Sequence, residues 1–241
     1  MATGKRSGFE AVGSARAADR IFEQLAGAIL RGELVPGEPL PPERVLSAEF
    51  DVSPVILRRA IHRLGEVGLV RVRQGAPTLV QDIAFTGDIR LIGLYYTLAG
   101  DSPIAQAIRR DAIEKQFLQG FAIVNVFARR ATVAAKRDVV SIAAAFDATN
   151  ATEGDFAAFE ETFWRALAFG GANRIYQMEV VWWYDTLADA RPDVAPTAGI
   201  SDRIAFYREL ARRLANGEDA AAHYLAVIQP QLDALFSSQG A

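Results

Sequence analysis

The sequence predicts a mainly α protein: an N-terminal winged helix-turn-helix, α with a small β wing, followed by an all-helical bundle of six to seven helices. Three observations predict it. Between Leu40 and Val80 two helix-like stretches flank a short turn and lead into a pair of short alternating segments. Beyond Asp82 the apolar spacing is helical throughout. The boundaries carry prolines at first turns, hydroxyl side chains at N-caps and glycines at ends. With 241 residues, 51% of them hydrophobic, the chain can build one large core or two modest ones. The division expected is a flexible arm over 1–14, the winged helix-turn-helix over 15–82, and the helical part over 83–241.

Each element has a local reason. The arm is small, polar and glycine-bearing, with Lys5 and Arg6 its cations. A first helix runs from about Ala17 to Arg31, because Ile21, Phe22, Leu25, Ala28 and Ile29 share one face, and Gly32 suits its left-handed end. A second helix opens near Pro42 and points Val45, Leu46 and Phe50 inward. After the turn at Asp51-Val52, Ser53 is the N-cap and Pro54 the first residue of a third helix. At about 100° per residue, Leu57, Ala60, Ile61 and Leu64 fall on one side of that helix, and Val55, Arg58, Arg59 and His62 on the other. Gly68 ends it. Leu69–Arg73 alternates like a half-buried strand, Gly75–Pro77 turns, and Thr78–Val80 returns.

The later helices are expected over Thr86–Ala99, closed by Gly100, then from Ser102-Pro103 to Arg130, and from Thr132 to Phe146. Four more follow over 155–170, 173–190, 201–216 and 218–237, with Asn173, Ser201 and Gly217 as punctuation. Pro192–Ile200 is a proline-bearing loop, and Pro230 should kink or divide the last helix. Asn125 stands inside the apolar run Phe121–Phe127 and needs a hydrogen-bond partner if buried.

Composition narrows the function. The absence of cysteine excludes disulfides, thiolate nucleophiles and cysteine metal sites. No apolar run is long enough to span a bilayer, and the first residues lack the apolar core of a signal peptide, so a soluble cytoplasmic protein with no membrane partner is expected. The formal charge of −3 hides a local asymmetry. Residues 52–81 carry Arg58, Arg59, Arg63, Arg71 and Arg73 against the single acid Glu66, whereas acids outnumber bases from residue 83 onward. Since charges are screened beyond about 10 Å at ordinary salt, such a patch can meet phosphate despite an acidic body. A helix with a packed side and an arginine-bearing side is a shape that enters the DNA major groove. No histidine, cysteine or carboxylate pair stands at catalytic spacing, so an enzyme is not expected.

The first part resembles the GntR family of bacterial transcription regulators. The family pattern P-S-E-R-x-L-A reads here Pro41-Pro42-Glu43-Arg44-Val45-Leu46-Ser47. The pattern G-V-S-R-x-x-V-R-x-A-L-x-x-L reads Asp51-Val52-Ser53-Pro54-Val55-Ile56-Leu57-Arg58-Arg59-Ala60-Ile61-His62-Arg63-Leu64. The resemblance implies double-stranded DNA as partner, in the form of a palindromic operator, and a homodimer. Arg44 and Arg58 would serve phosphates and guanine edges, with Ser53, Val55, Arg59, Arg73, Gln74, Gly75 and Thr78 completing the contact set. Two departures alter that contact. Pro54 replaces an arginine, and Val55 and Ile56 replace threonines, so two apolar residues would face the groove, where they can only touch a thymine methyl or exclude water. Ala76 replaces the basic residue of the wing, leaving the minor groove to backbone, Gln74 and Thr78. An operator unlike the usual family one is therefore expected.

The helical part resembles the FadR-type effector domain. Phe163-Trp164-Arg165-Ala166-Leu167-Ala168-Phe169-Gly170-Gly171-Ala172-Asn173 is similar to its F-H-x-x-L-x-x-A-S-G-N element, and Gly75-Ala76-Pro77-Thr78, Leu167-Ala168-Phe169 and Phe206-Tyr207 are similar to the fatty-acid-responsive branch. Many such domains hold a divalent metal with an aspartate and three histidines. The matching residues here are Glu160, Trp164, Tyr207 and Gln229, of which Glu160 alone is a good ligand, so no metal and no cofactor are expected. His62 lies on the DNA-facing helix, and His223 is expected on a solvated face. The resemblance instead implies a small-molecule effector, of fatty acyl or carboxylate type, held by Lys115, Gln119, Glu160, Trp164, Tyr207 and Gln229. Two readings of the aromatics stand, pocket lining or plain core, and a Glu160–Lys115 ion pair would be structural as readily as a ligand clamp. In acyl-coenzyme A-binding members the last helix supplies glycine, serine and tryptophan. Here Pro230, Asp233 and Ser237 stand there, and Asp233 would repel a phosphate, so that grip does not carry over.

The function expected is a ligand-responsive regulator, a repressor, acting as a homodimer, with the 82–87 linker and the first effector helix transmitting the response. The alternative is an architectural DNA-binding protein whose helical part only dimerises.

Overall fold

The computed structural model describes residues 13–186 and 198–237. Residues 1–12 of the expected arm, with Lys5 and Arg6, and most of the Pro192–Ile200 loop lie outside the described residues; Gly13 and Ser14, expected in the arm, open the first helix instead. Packing divides the chain into two compact units, one up to Arg109 and one from Arg110 onward.

The first unit is built on three helices, α1 (Gly13–Leu30), α2 (Glu43–Glu49) and α3 (Pro54–Glu66). Their core is Ile21, Phe22, Leu25, Ile29, Leu46, Leu57, Ala60, Ile61 and Leu64, all buried. Ser53 caps α3, accepting a hydrogen bond from Ile56 N, and Pro54 opens it. Leu46 is inward as expected and Phe50 packs on the core, but Val45 is exposed. With only seven residues, α2 buries a single row of side chains, and Leu46 fills it. The wing is shorter than expected, β1 (Val70–Arg71) pairing antiparallel with β2 (Leu79–Val80), Val70 opposite Val80. It gains a third lane from the loop before α2. Leu40 N donates to Thr78 O (2.8 Å), Val80 N to Glu38 O (2.9 Å) and Gly37 N to Val80 O (2.9 Å).

The expected helix over Thr86–Ala99 is two elements. A single turn, α4 (Ile83–Thr86), is capped by Asp82, and α5 (Arg90–Leu98) starts anew after Gly87. The break has a local cause. Asp88 accepts from the Arg90 backbone N (2.9 Å) and pairs with the Arg90 guanidinium, which also reaches the Glu66 carbonyl (2.9 Å). Thr86 Oγ1 donates to the Gly68 carbonyl (2.9 Å), which fastens α4 to the end of α3. The expectation that everything after Asp82 forms one helical part also needs revising in packing terms. Leu91, Tyr95, Ala99 and Ala105 close the core of the first unit, and Arg31, the residue after α1, donates to the Leu98 carbonyl (3.0 Å).

The second unit takes most of α6 (Pro103–Arg130), then α7 (Val133–Ala145), α8 (Glu153–Gly170), α9 (Arg174–Thr186), α10 (Ile200–Asn216) and α11 (Ala220–Ser237). Thr132 caps α7, and Thr152 with Asp155 forms a reciprocal capping box on α8. Asn173 Oδ1 accepts from Ile175 N (3.0 Å) at the start of α9. Gly217 ends α10 with φ +72°. Ser201 is not a cap, since α10 begins at Ile200 after Gly199. α11 runs through Pro230 as one helix rather than dividing there. The stretch 187–190, expected to extend α9, lies outside the described residues. Asn125 finds its partner within α6, donating to the Phe121 carbonyl (3.0 Å).

Gly68 and Gly100 both hold positive φ, +79° and +56°. A Cβ on Gly68 would also run into the Thr86 carbonyl, whereas one on Gly100 meets open space. Gly68→Ala should therefore destabilise the first unit by about 2–4 kcal/mol, and Gly100→Ala by only about 1 kcal/mol. Urea denaturation of the two variants, followed by circular dichroism, checks the order; equal losses would contradict it.

Candidate nucleic-acid interface and the helical-unit site

Burial sorts α3 into two sides. Leu57, Ala60, Ile61 and Leu64 face the core, and Val55, Arg58, Arg59 and His62 face out. Val55 is 60% exposed. Ile56, expected beside it in the groove, packs against the core instead. Four residues from Ala60, it stands only about 40° away on the helix and falls at the edge of the buried stripe. The exposed side therefore offers one apolar side chain, not two.

The arginines are held differently from one another. Arg58 Nε donates to Glu43 Oε2 at 2.8 Å, an exposed ion pair joining the first residue of α2 to the outer side of α3. Arg63, counted with the basic patch in the sequence, is turned back instead. It pairs with Asp19 on α1 and lies over the Phe22 ring, 4.4 Å from its centroid. His62 Nδ1 lies 3.3 Å from Glu66 Oε1, one turn along. Arg44, Arg59, Arg71 and Arg73 are exposed. An open groove lined by His62, Glu66, Val70, Arg71 and Val72 joins the end of α3 to the wing base.

At the wing tip Arg73, Gln74, Gly75 and Ala76 are exposed, with Gly75 at φ +74°. Thr78 is half-buried, and its carbonyl is occupied by Leu40 N. Ser53 is first a capping residue; its hydroxyl already accepts from Ile56 N. Glu43 and Asp19 were missed by sequence reasoning. Glu43 stands beside Arg44 in the quoted motif, but nothing in a spacing of 15 residues announces an ion pair.

The residues expected to hold an effector fall into three separate groups. In the first, Tyr207 donates to Glu160 Oε1 (2.6 Å), and Trp164 Nε1 donates to the Tyr207 oxygen (3.3 Å). Burial pushes the Tyr207 phenol well above its ordinary range, and the neighbouring Glu160 charge adds to the shift. Rings close around this chain of hydrogen bonds. Phe163 lies 4.9 Å and Phe159 5.3 Å from Tyr207, both edge-on, and Tyr224 is 5.7 Å from Trp164. Tyr224 donates to the Phe117 carbonyl (3.2 Å), in the space left by Gly120, where any Cβ would collide with the phenol.

The second group is Lys115 and Gln119, which meet Glu179 of α9 rather than Glu160. Lys115 Nζ lies 3.5 Å from Glu179 Oε1, and Gln119 Nε2 donates to Glu179 Oε2 (2.9 Å). With Asp111, Glu114, Leu118 and Tyr176 they line an open groove. The expected Glu160–Lys115 pair is thus replaced by a Lys115–Glu179 pair. The third group is Gln229, exposed and donating to Asp233 Oδ1 one turn on (2.8 Å). It is the next residue after buried Ile228 and so turns about 100° away from the core.

Of the four positions that match metal ligands in the resemblance, the indole of Trp164 has no lone pair to give, and the Tyr207 phenol is already a donor to Glu160. That donor set does not fit a divalent ion. Among the described residues no three histidines, cysteines or acids gather as a metal site. Nor is any helix among them long and apolar enough to cross a membrane.

A three-helix core with a paired wing and an outward arginine-bearing helix defines a winged helix-turn-helix protein. Residues 17–80 match the family described as bacterial regulatory proteins, gntR family. The HTH-type transcriptional regulator Mce2R of Mycobacterium tuberculosis is 48% identical over 64 residues, 27% of this chain and 27% of that protein. The fatty acid metabolism regulator protein of Edwardsiella ictaluri is 29% identical over 154 residues, covering 64% of this chain and 62% of that one. The chain thus spans less than two thirds of the length of these relatives. Among solved structures, Lar, described as controlling the Listeria monocytogenes agr system and mediating virulence, aligns over 95% of this chain and 98% of its own. Its TM-score is 0.52 at 16% identity, a likeness of fold.

His223, expected on a solvated face, is half-buried. Its ring stacks on Phe206 at 5.4 Å, and its Nε2 is buried. Burial lowers its pKa, with Arg213 acting in the same direction and Glu209 against it. The folded state thus prefers the neutral ring. As pH falls through the ordinary value of 6.5 the unfolded chain takes up a proton first, so stability declines from there down to the depressed folded value. In His223→Phe, which keeps a ring against Phe206, this part of the decline should vanish. Urea midpoints at about pH 7.5 and about pH 5.5 measure it; identical pH slopes in wild type and variant would count against the assignment.

Proposed function

We propose that this protein is a transcriptional regulator that binds a palindromic duplex operator as a homodimer, with α3 in the major groove. The observation that carries the reading is the two-sidedness of α3, whose inner residues are buried while Val55, Arg58 and Arg59 face out. The family match over residues 17–80 and relatives named as regulators support it. In this reading Arg58 reads a guanine edge and Val55 meets a thymine methyl. Arg44, Arg59 and the Ser53 end of α3 fix the phosphates, and Arg73, Gln74, Gly75 and Thr78 form the wing contact. Twofold symmetry follows from the chemistry of recognition, since one helix reads too few bases to select a site in a genome.

The helical unit is proposed to answer a small molecule of fatty acyl or carboxylate type and so to set operator affinity, as in a repressor released by its effector. The fatty acid regulator among the relatives supports the ligand class. Glu160, Trp164 and Tyr207 are the residues proposed to receive it, and Lys115, Gln119 and Gln229 are not part of that group. A second reading, an architectural DNA-binding protein, draws support from the same place, because these aromatics already satisfy one another's hydrogen bonds.

Three measurements decide. Selection from randomised duplexes should return a palindrome that departs from the usual family operator, since Pro54 removes an arginine from the recognition helix. Arg58→Ala should weaken binding to it by about 1–3 kcal/mol, with relaxed preference at one base pair per half-site. Unchanged affinity in Arg58→Ala would remove that residue from the contact list. Thermal shift against fatty acids, acyl-coenzyme A compounds and small carboxylates tests the second claim. A ligand that stabilises the protein and also changes operator affinity supports regulation, and a panel with no such ligand favours the architectural reading.

A further inference from the structure

We infer that Glu43 is a positioning residue that fixes how Arg58 presents its guanidinium to a base, and that it sets the selectivity of binding rather than its strength. The inference rests on the reading of α3 as the DNA-facing helix. Its observation is the 2.8 Å hydrogen bond from Arg58 Nε to Glu43 Oε2.

An arginine has two ways to make a paired contact. It can offer Nε with one terminal nitrogen, side-on, or both terminal nitrogens, end-on. With Nε held by Glu43, only the end-on fork remains, and two parallel donors match the O6 and N7 acceptors of guanine. The carboxylate also limits where the side chain can swing. Arg58 projects from the outer side of α3 with 65% of its side chain exposed, and Glu43 is its fixed neighbour from another helix. Glu43 can play that part because α2 holds it at its first turn, where the helix dipole favours a negative charge. Pro42 at the N-cap accepts no side-chain hydrogen bond there, and the Glu43 carboxylate is directed to α3.

Stability gives no reason for this pair. An exposed ion pair contributes little to folding, because both charges stay solvated and two long side chains must be ordered. On a surface that meets phosphates, a carboxylate opposes binding to every duplex alike. What offsets that cost at the right sequence is a guanidinium already aimed, so the entropy of ordering it is not lost on contact. At a wrong sequence the aimed fork finds no acceptor pair and the repulsion stands. Glu43 thus lowers affinity for all DNA and restores it where guanine is in register.

The test uses the full chain and its selected operator. Dissociation constants for that operator and for a scrambled duplex are measured for wild type, Glu43→Gln and Glu49→Gln, the last removing an exposed acid of the same helix that has no part in the proposed contact. Glu43→Gln should bind the scrambled duplex a few-fold more tightly while the ratio of specific to scrambled affinity falls by roughly five- to tenfold. Renewed selection with Glu43→Gln should relax the same base pair that Arg58→Ala relaxes. Glu49→Gln should move both affinities together and leave the ratio alone. Urea midpoints of the variants should match that of wild type, which separates aiming from folding. If Glu43→Gln shifts both affinities by one common factor, or neither, the positioning role is overturned while the DNA-binding reading stands. If wild type itself prefers no duplex, the DNA-binding reading fails and takes the positioning role with it.

Discussion

The burial of one side of α3 is the constraint on which the rest of the first unit depends. Leu57, Ala60 and Leu64 have no exposed surface, and α3 packs more extensively on α1 than on α2 or β1. Each of the two leucines contributes roughly 1.5–3 kcal/mol relative to leaving it in water. That holds the helix in one rotation about its axis. With the rotation fixed, Val55, Arg58, Arg59 and His62 have no choice but to face solvent. The capping of α3 by Ser53 and its fastening to α4 through Thr86 and Gly68 keep both ends of that helix in place.

Electrostatics then refine what packing has set. Counting arginines along the chain overstates the free basic charge, because Arg63 is held against α1 by Asp19 and Phe22. Arg58 is neither free nor buried; it is aimed. The contrast between these two residues, five positions apart on one helix, comes from the rotation between them. Five steps of about 100° turn Arg63 away from Arg58 and towards α1. A basic patch is therefore a property of a surface, not of a stretch of sequence.

The helical unit follows a different logic. Its centre is aromatic, and the polar atoms of Trp164, Tyr207 and Glu160 meet one another, Tyr207 donating to Glu160 and receiving from Trp164. Removing the Tyr207 hydroxyl would leave both partners short, which costs more than the bond itself contributes. Such a network stays dry and ordered only if the rings around it fit, and Gly120 is what allows Tyr224 to come close enough. The Lys115–Gln119–Glu179 cluster is a separate feature, set between α6 and α9 and open to solvent.

The sequence by itself determined the kinds and order of elements, the caps at Ser53, Thr132 and Asn173, the end of α10 at Gly217, and the two sides of α3. These follow from spacing and from backbone preferences that act over a few residues. Only the tertiary structure decided which residues meet across long separations. It paired Glu43 with Arg58 and Lys115 with Glu179, turned Arg63 to Asp19, drew Ile56 into the core, exposed Val45, and closed the first core with α5. Each of those outcomes depends on where a second element lies in space. A periodicity records which way a side chain points from its own helix, and carries no information about what stands opposite.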